Sequence, residues 1–293
     1  MTKLLFLFLL VPLAVKGALV LQTDFGTKDG AVAEMKGIAV GVEPSLVIHD
    51  LSHENTPFNI WEAAYRLKQA APYWPAGTVF VSVVDPGVGT DRHSVVLETK
   101  SGHYFVGPDN GTWTLVAEEL GIAAVRQIDE KVNRRAGSEK SYTFHGRDIY
   151  VYTGARLVAG KITFAQVGPL LEAKVVSLPY RKATFADGAV SGTLPLVDFH
   201  FGNLWTNIPD SIFEQLAPKY GDLFLVIIAR DGREAYRGVL PYVRTFADVP
   251  AGEPLLYINS LLDIAFAINL GSFAKTNGLD YGGEWTVEVR RSR

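Results

Sequence analysis

The segment "VVDPGVGTDR" ends an apolar run on a carboxylate, Asp85, and after a glycine-rich turn presents a guanidinium, Arg92. An imidazole stands at His145 in "TFHGRD", and further polar groups follow apolar runs at Asp24 in "QTDFGTKDG" and at Asp50 and His53 in "HDLSHENTPF". Together a carboxylate, a guanidinium and an imidazole can hold and polarise a water molecule. The carboxylate orients the water or takes its proton, the guanidinium keeps the carboxylate ionised, and the imidazole relays or hydrogen-bonds. Each group also has an ordinary structural reading: Asp24 as a helix cap or turn residue, Asp85 as a turn starter before Pro86, Arg92 as a surface charge, His145 as a satisfied core histidine.

Other chemistries lack their parts. The chain has no cysteine, which removes thiolate nucleophiles, thiolate metal sites and disulfides. No serine occupies a G-x-S-x-G elbow. His49 and His53 lie in a strand-then-loop pattern, whereas a two-histidine zinc motif needs both on one helical face. "GVG" lacks the third glycine and following helix of a dinucleotide fingerprint. "NGT" at Asn110 matches a glycosylation triplet, a pattern frequent by chance. No metal and no cofactor are expected.

These residues need a scaffold that brings them together. "ALVLQTD", "SLVIHDL", "TVFVSVVD", "SVVLETK" and "HYFVGPD" read as strands, several apolar on both faces as buried strands are. Between them "GAVAEMKGIAVGV", "PFNIWEAAYRLKQAA", "GTWTLVAEELG" and "GRDIYVYTGARLVAG" have helical spacing, the last two stopping at Gly121 and Gly160. The alternation predicts an α/β domain over 18–178 with a layered, largely parallel sheet, where ligands bind beyond the carboxyl ends of the strands. After Leu178 the segments are strand-like and broken by turn pairs such as Asp231-Gly232, which predicts a smaller antiparallel β-barrel domain over 188–293.

A net charge of −3 gives no electrostatic reason for nucleic-acid binding. The start, "MTKLLFLFLLVPLAVKG", has an apolar run too short to span a bilayer comfortably, and no second such segment follows. Residues 1–17 are expected to be a secretory signal peptide, which implies export to the periplasm or the outside; a buried first strand, and with it a cytoplasmic protein, is the competing reading.

The motifs "TDFG", "VDPGVGTDR", "GPDNG", "TFHGRD", D-x-x-F-G-N-x-W-T-N-I from Asp198, "INS" ending at Ser260 and "AIN-x-G" occur in this order along nearly all of the chain after Ala18. In this the sequence resembles the S-adenosyl-L-methionine (SAM) hydroxide adenosyltransferases, the SAM hydrolases, which are related to SAM-dependent fluorinases and chlorinases. The resemblance implies a homotrimer that binds SAM between the N-domain of one subunit and the C-domain of its neighbour. It also implies attack at C5′ that releases methionine, with SAM as substrate rather than cofactor. By resemblance Asp85, Arg92 and His145 handle the water, Asp24 accepts from the ribose hydroxyls and Phe58 covers the sugar. Phe201 and Phe246 sandwich adenine, Asn203 reads its edge, and Asp198 and Ser260 hold the methionine ammonium and carboxylate.

Halogenases of the group resemble this pattern with an aromatic residue at the place of Asp85, a small hydroxyl residue at Val88, Tyr at His145 and Ser at Gly146. This chain departs from the family after "INS", where Leu261 and Leu262 replace a small residue and glycine, so the methionine end of the pocket is reshaped. A SAM-dependent halogenase and a non-catalytic nucleoside- or SAM-binding protein are the alternative functions.

Overall fold

The computed structural model describes residues 17–292. The expected signal segment therefore lies, except for Gly17, outside the described residues. The chain divides between Ser177 and Leu178 into two compact units.

The first unit is built on a six-stranded sheet with strands β1 (Leu19–Thr23), β2 (Ile48–Ser52), β3 (Val79–Val83), β4 (Ser94–Thr99), β5 (Tyr104–Pro108) and β6 (Ile122–Gln127), in the order β2-β1-β3-β5-β4-β6. Strands β2, β1, β3 and β5 are mutually parallel, while β4 runs antiparallel to both β5 and β6. The sheet is thus mixed at one side, because β4 and β5 are joined by a turn of four residues, Lys100 to His103, too short for the crossover that parallel strands require.

Helices cover both faces. α1 (Ala31–Val42) and α4 (Val151–Val158) lie on one, where Leu19, Leu21, Val79, Val81 and Val83 meet Met35, Ile149 and Ala155 in one core cluster. α2 (Ile60–Ala70) and α3 (Thr114–Leu120) lie on the other, where the intervening Val20 and Phe80 join Leu67, Trp113 and Val116. Successive side chains of a strand point to opposite faces, so an uninterrupted apolar strand serves two cores at once.

The second unit holds strands β7 (Thr184–Ala186), β8 (Ala189–Leu194), β9 (Leu196–Val197), β10 (Leu204–Pro209), β11 (Leu223–Arg230), β12 (Arg233–Pro241), β13 (Pro254–Ile258), β14 (Asp263–Ile268) and β15 (Gly282–Arg291). They form a four-stranded sheet, β13-β14-β10-β9, and a five-stranded sheet, β12-β11-β15-β8-β7. Their strand pairs are antiparallel, and both sheets contribute to one core, in which Val190, Phe224, Val226 and Val287 meet Leu204, Leu256 and Phe266. Among the described residues the expected antiparallel strands form these two sheets with no closed barrel, and an isolated parallel bridge joins Tyr242, just after β12, to Leu256 of β13. The β11–β12 turn is Asp231-Gly232, with φ of 49° and 76°, the left-handed pair that a tight hairpin demands. No helix among the described residues is long and apolar enough to cross a membrane.

Candidate active site

The parallel register of β1 and β3 pairs Thr23 with Val83, so the two chains leave the sheet on the same edge. Asp24 and Asp85 follow there, and both line a cavity of about 280 Å³ with Phe58, Val88, Phe144 and His145. The loop after Asp85 turns through Gly89, whose φ of 81° suits glycine, and returns Arg92 to the carboxylate it left. Arg92 Nε donates to Asp85 Oδ1 at 2.7 Å and Nη2 donates to Oδ2, a fork-to-carboxylate pair with side chains only 10% and 5% exposed. Burial opposes the charge on Arg92, but the bond to Asp85 together with the Tyr150, Asp85 and Glu130 charges outweighs it and raises the guanidinium pKa. Asn110 Nδ2 holds the base of this loop by donating to the Val84 carbonyl at 2.9 Å. The "NGT" triplet is therefore part of the scaffold: Asn110 Oδ1 also accepts from the Thr112 N–H and hydroxyl.

His145 enters from a different element. It stands immediately before a single wide, π-helical turn, Gly146–Tyr150, that leads into α4. Turns of this kind occur often at functional sites because they shift side chains off the regular helical face. Asp148 locks the turn: fully buried, it accepts from Arg147 at 2.9 and 2.8 Å and from Arg135 at 3.0 Å, while Arg147 also reaches Glu34 at 2.7 Å. Arg92 Nη2 donates to His145 Nδ1 at 3.1 Å. A guanidinium has only donors, so Nδ1 must be unprotonated and the ring proton sits on Nε2, which is buried and has no protein acceptor. Burial first, and the Arg92 charge second, lower the imidazole pKa, and both favour this neutral form. Behind Arg92, Ser94 Oγ meets the buried Tyr150 hydroxyl at 3.1 Å.

Asp24 faces the same cavity with a different environment. The Phe58 N–H donates to Asp24 Oδ2 at 2.8 Å, and Phe58 itself is 70% exposed with a left-handed φ of 68°. An aromatic residue held there costs about 1–3 kcal/mol, a strain that accumulates at functional sites. Burial raises the Asp24 pKa, the Phe58 N–H opposes this, and the nearby Asp85 charge adds to it.

The second unit has its own pocket, of about 760 Å³. Asp198, Phe201, Asn203, Phe246 and Ser260 all line it, together with Trp205 and Tyr257. The loop that presents them closes on itself: Asp198 N–H donates to Asn203 O at 2.9 Å and Gly202 N–H to Asp198 O at 2.6 Å. At Gly202, φ is 69° and a Cβ would lie 1.8 Å from Ser272 Oγ, so only glycine fits. Phe201 is 68% and Phe246 40% exposed, which leaves two aromatic faces uncovered, whereas Asn203 is buried. Leu261 and Leu262 follow Ser260, with Leu262 exposed and at a φ of 62°.

The candidate residues thus gather in two groups, one in each unit. Asp24, Phe58, Asp85 and His145 share the first cavity, with Arg92 bonded to Asp85 behind it; the other five share the second pocket. Sequence reasoning missed Tyr150 and Ser94 behind Arg92, Asn110 beneath the loop, and Trp205 and Tyr257 in the second pocket. The signal for Trp205 was present in the motif that contains Phe201 and Asn203. Among the described residues no group of three or more His, Asp or Glu is placed to hold a metal ion.

The mixed α/β unit thus carries a guanidinium-held carboxylate beside one cavity, and the second, mainly β, unit carries an aromatic-lined pocket of its own. Models of the SAM hydroxide adenosyltransferase N-terminal and C-terminal domains match residues 19–168 and 192–286, and the chain belongs to this family. An (R)-S-adenosyl-L-methionine hydrolase from Methanocaldococcus jannaschii is 49% identical over 142 residues, 47% of this chain and 52% of that one. A protein of the same name from Salinispora tropica is 37% identical over 268 residues, 90% of this chain and 95% of its own. Proteins named fluorinase match at lower identity. A crystal structure of an uncharacterized conserved protein from Thermotoga maritima superposes with a TM-score of 0.86 at 36% identity, covering 93% of this chain and 100% of that one.

Proposed function

We propose that this protein hydrolyses S-adenosyl-L-methionine to adenosine and L-methionine by in-line attack of water on C5′. The C5′–O bond forms as the C5′–S bond breaks; sulfur keeps the bonding pair and leaves as a neutral thioether, and the water gives up one proton. The observation that carries the reading is the convergence of Asp85 and His145 on one guanidinium, Arg92, at the wall of a cavity that also contains Asp24 and Phe58.

Held by Arg92 at the cavity wall, Asp85 orients the water and receives its proton. His145 holds Nδ1 toward Arg92, which leaves the Nε2 proton to fix the attacking oxygen. Because the leaving group departs uncharged, positioning and exclusion of water supply most of the barrier reduction. Asp24 accepts from the ribose hydroxyls, and Phe58 covers the sugar. In the second pocket Phe201 and Phe246 enclose adenine, Asn203 reads its edge, and Asp198 and Ser260 hold the methionine ammonium and carboxylate. The complete site pairs the cavity of one subunit with the pocket of a neighbour in a homotrimer, which light scattering tests. We extend to this chain the R configuration at sulfur that the relatives' names specify.

Asp85 favours water over halide. A chloride about 4 Å from an unpaired carboxylate is repelled by ~4 kcal/mol at an effective dielectric near 20, an upper bound here because the Arg92 charge offsets part of it. Purified protein incubated with SAM in the presence of chloride is expected to give adenosine and methionine. A 5′-chloro nucleoside as main product, or tight SAM binding without product, would contradict the assignment.

A further inference from the structure

We propose that His53 is a positioning residue, one that fixes the Asp24 turn through the Thr23 hydroxyl and so sets nucleoside affinity without touching the substrate. The inference rests on the role of Asp24 given above. Thr23 ends β1 and is fully buried. Its Oγ1 accepts from the Phe25 N–H at 3.2 Å and lies 2.8 Å from His53 Nδ1. The Asp50 carboxylate beside Nε2 can only accept, so Nε2 carries a proton, and in the neutral ring Nδ1 then accepts from the Thr23 hydroxyl. Nε2 then donates to Asp50 Oδ1 at 3.0 Å, and Asp50 Oδ2 accepts from Lys36 Nζ at 2.6 Å. With the ring neutral, Thr23 donates to His53 and His53 to Asp50, and the Lys36 charge holds the Asp50 end of the row.

The same segment grips the rest of the turn. His53 O accepts from the Gly26 N–H at 2.7 Å, and Asn55 Nδ2 donates to Thr23 O at 2.7 Å. Thr23 and Gly26, which flank Asp24 and Phe25, are therefore tied to residues 53–55, and Phe58 N–H orients the Asp24 carboxylate. A shift in the β1–β2 register between Leu21 and Gln22 accompanies this juxtaposition. Two competing readings fail. Thr23 is not a nucleophile of a Thr-His-Asp set, because its side chain is fully buried, and His49 turns away from His53 to pack on Trp74, with ring centroids 5.0 Å apart.

Thr23→Val keeps the shape and removes the hydroxyl, and Thr23→Ser restores it. The measurements are KM and kcat for SAM and the Kd for adenosine by calorimetry. Thr23→Val is expected to raise KM and Kd about tenfold with kcat within threefold, and Thr23→Ser to return both constants to within threefold of wild type. Should Thr23→Val fail to fold, Asp50→Asn on the half-exposed end of the row is expected to raise Kd at least threefold. Variant constants within twofold of an active wild type, or a loss of kcat at unchanged KM, would overturn the inference alone. Wild-type protein that neither consumes SAM nor binds adenosine would overturn the functional reading and this inference with it.

Discussion

Asp85→Asn preserves the size of the side chain and tests the arrangement where it is most specific. The amide oxygen can still accept from Arg92 Nε, but an NH2 group then faces Arg92 Nη2, and the fork is broken. Arg92 retains neutral partners in Ser94 Oγ at 3.4 Å and His145 Nδ1 at 3.1 Å, so the buried charge is not abandoned and the loss of stability should be about 1–3 kcal/mol. The kinetic loss is larger, because the variant can neither orient the water as an anion nor accept its proton. Positioned acid–base groups contribute about 10²- to 10⁴-fold, or about 3–5 kcal/mol of barrier at ~1.4 kcal/mol per decade. Adenosine release followed by chromatography should therefore show kcat reduced at least 100-fold with KM within threefold. Asp85→Asn combined with Arg92→Gln should be no more than threefold slower than Asp85→Asn alone, since Arg92 acts largely through Asp85. A variant that keeps a tenth of wild-type kcat, or a double variant whose losses multiply, would refute the reasoning.

The remaining expectations follow from single features. His145 has a lowered pKa, so between that value and the ordinary 6.5 the unfolded chain binds the proton and the folded one does not. Its contribution to stability is complete above about pH 6.5 and is lost as the pH falls; protonation also breaks the bond from Arg92, so the acid limb of kcat should lie below that value and shift in His145→Gln. Phe58→Gly relieves the left-handed backbone at the cost of chain entropy, for a net gain of about 0–1 kcal/mol, while KM for SAM rises; a fall in both Tm and KM would contradict the sugar-covering role. Gly146→Ser places a Cβ 3.3 Å from Val83 Cγ1 and should lower Tm without producing a halogenase while Asp85 remains, as product analysis in chloride would show. Sequencing of the mature N-terminus from the native host is expected to begin near Ala18, and an intact Met1 would count against export.

The strands of the first unit were legible because their apolar runs serve cores on both faces, and its helices from their apolar spacing, with Gly121 and Gly160, both at a φ of 68°, marking the ends of the last two. β6 carried no comparable signal: it follows Gly121 directly, and its residues range from buried Val125 to an exposed alanine. In the second unit the alternating strands and turn pairs made antiparallel pairing legible, but they carry no signal for how the strands divide between two sheets. The acid and the guanidinium were visible as residue types beside strand ends, and the imidazole as one just ahead of a helix. Their bonding was not, since Arg92 and His145 are 53 residues apart and meet only where the turn before α4 packs on the sheet, and Thr23 and His53 are 30 apart and meet only through the β1–β2 pairing.

The origin of the oxygen in the product tests the central claim most directly. With SAM in oxygen-18-labelled water, the account predicts label in the 5′-hydroxyl of adenosine and unlabelled methionine. Label in homoserine alongside methylthioadenosine would mean attack at the amino-acid arm, and adenosine without label would mean that water does not attack C5′.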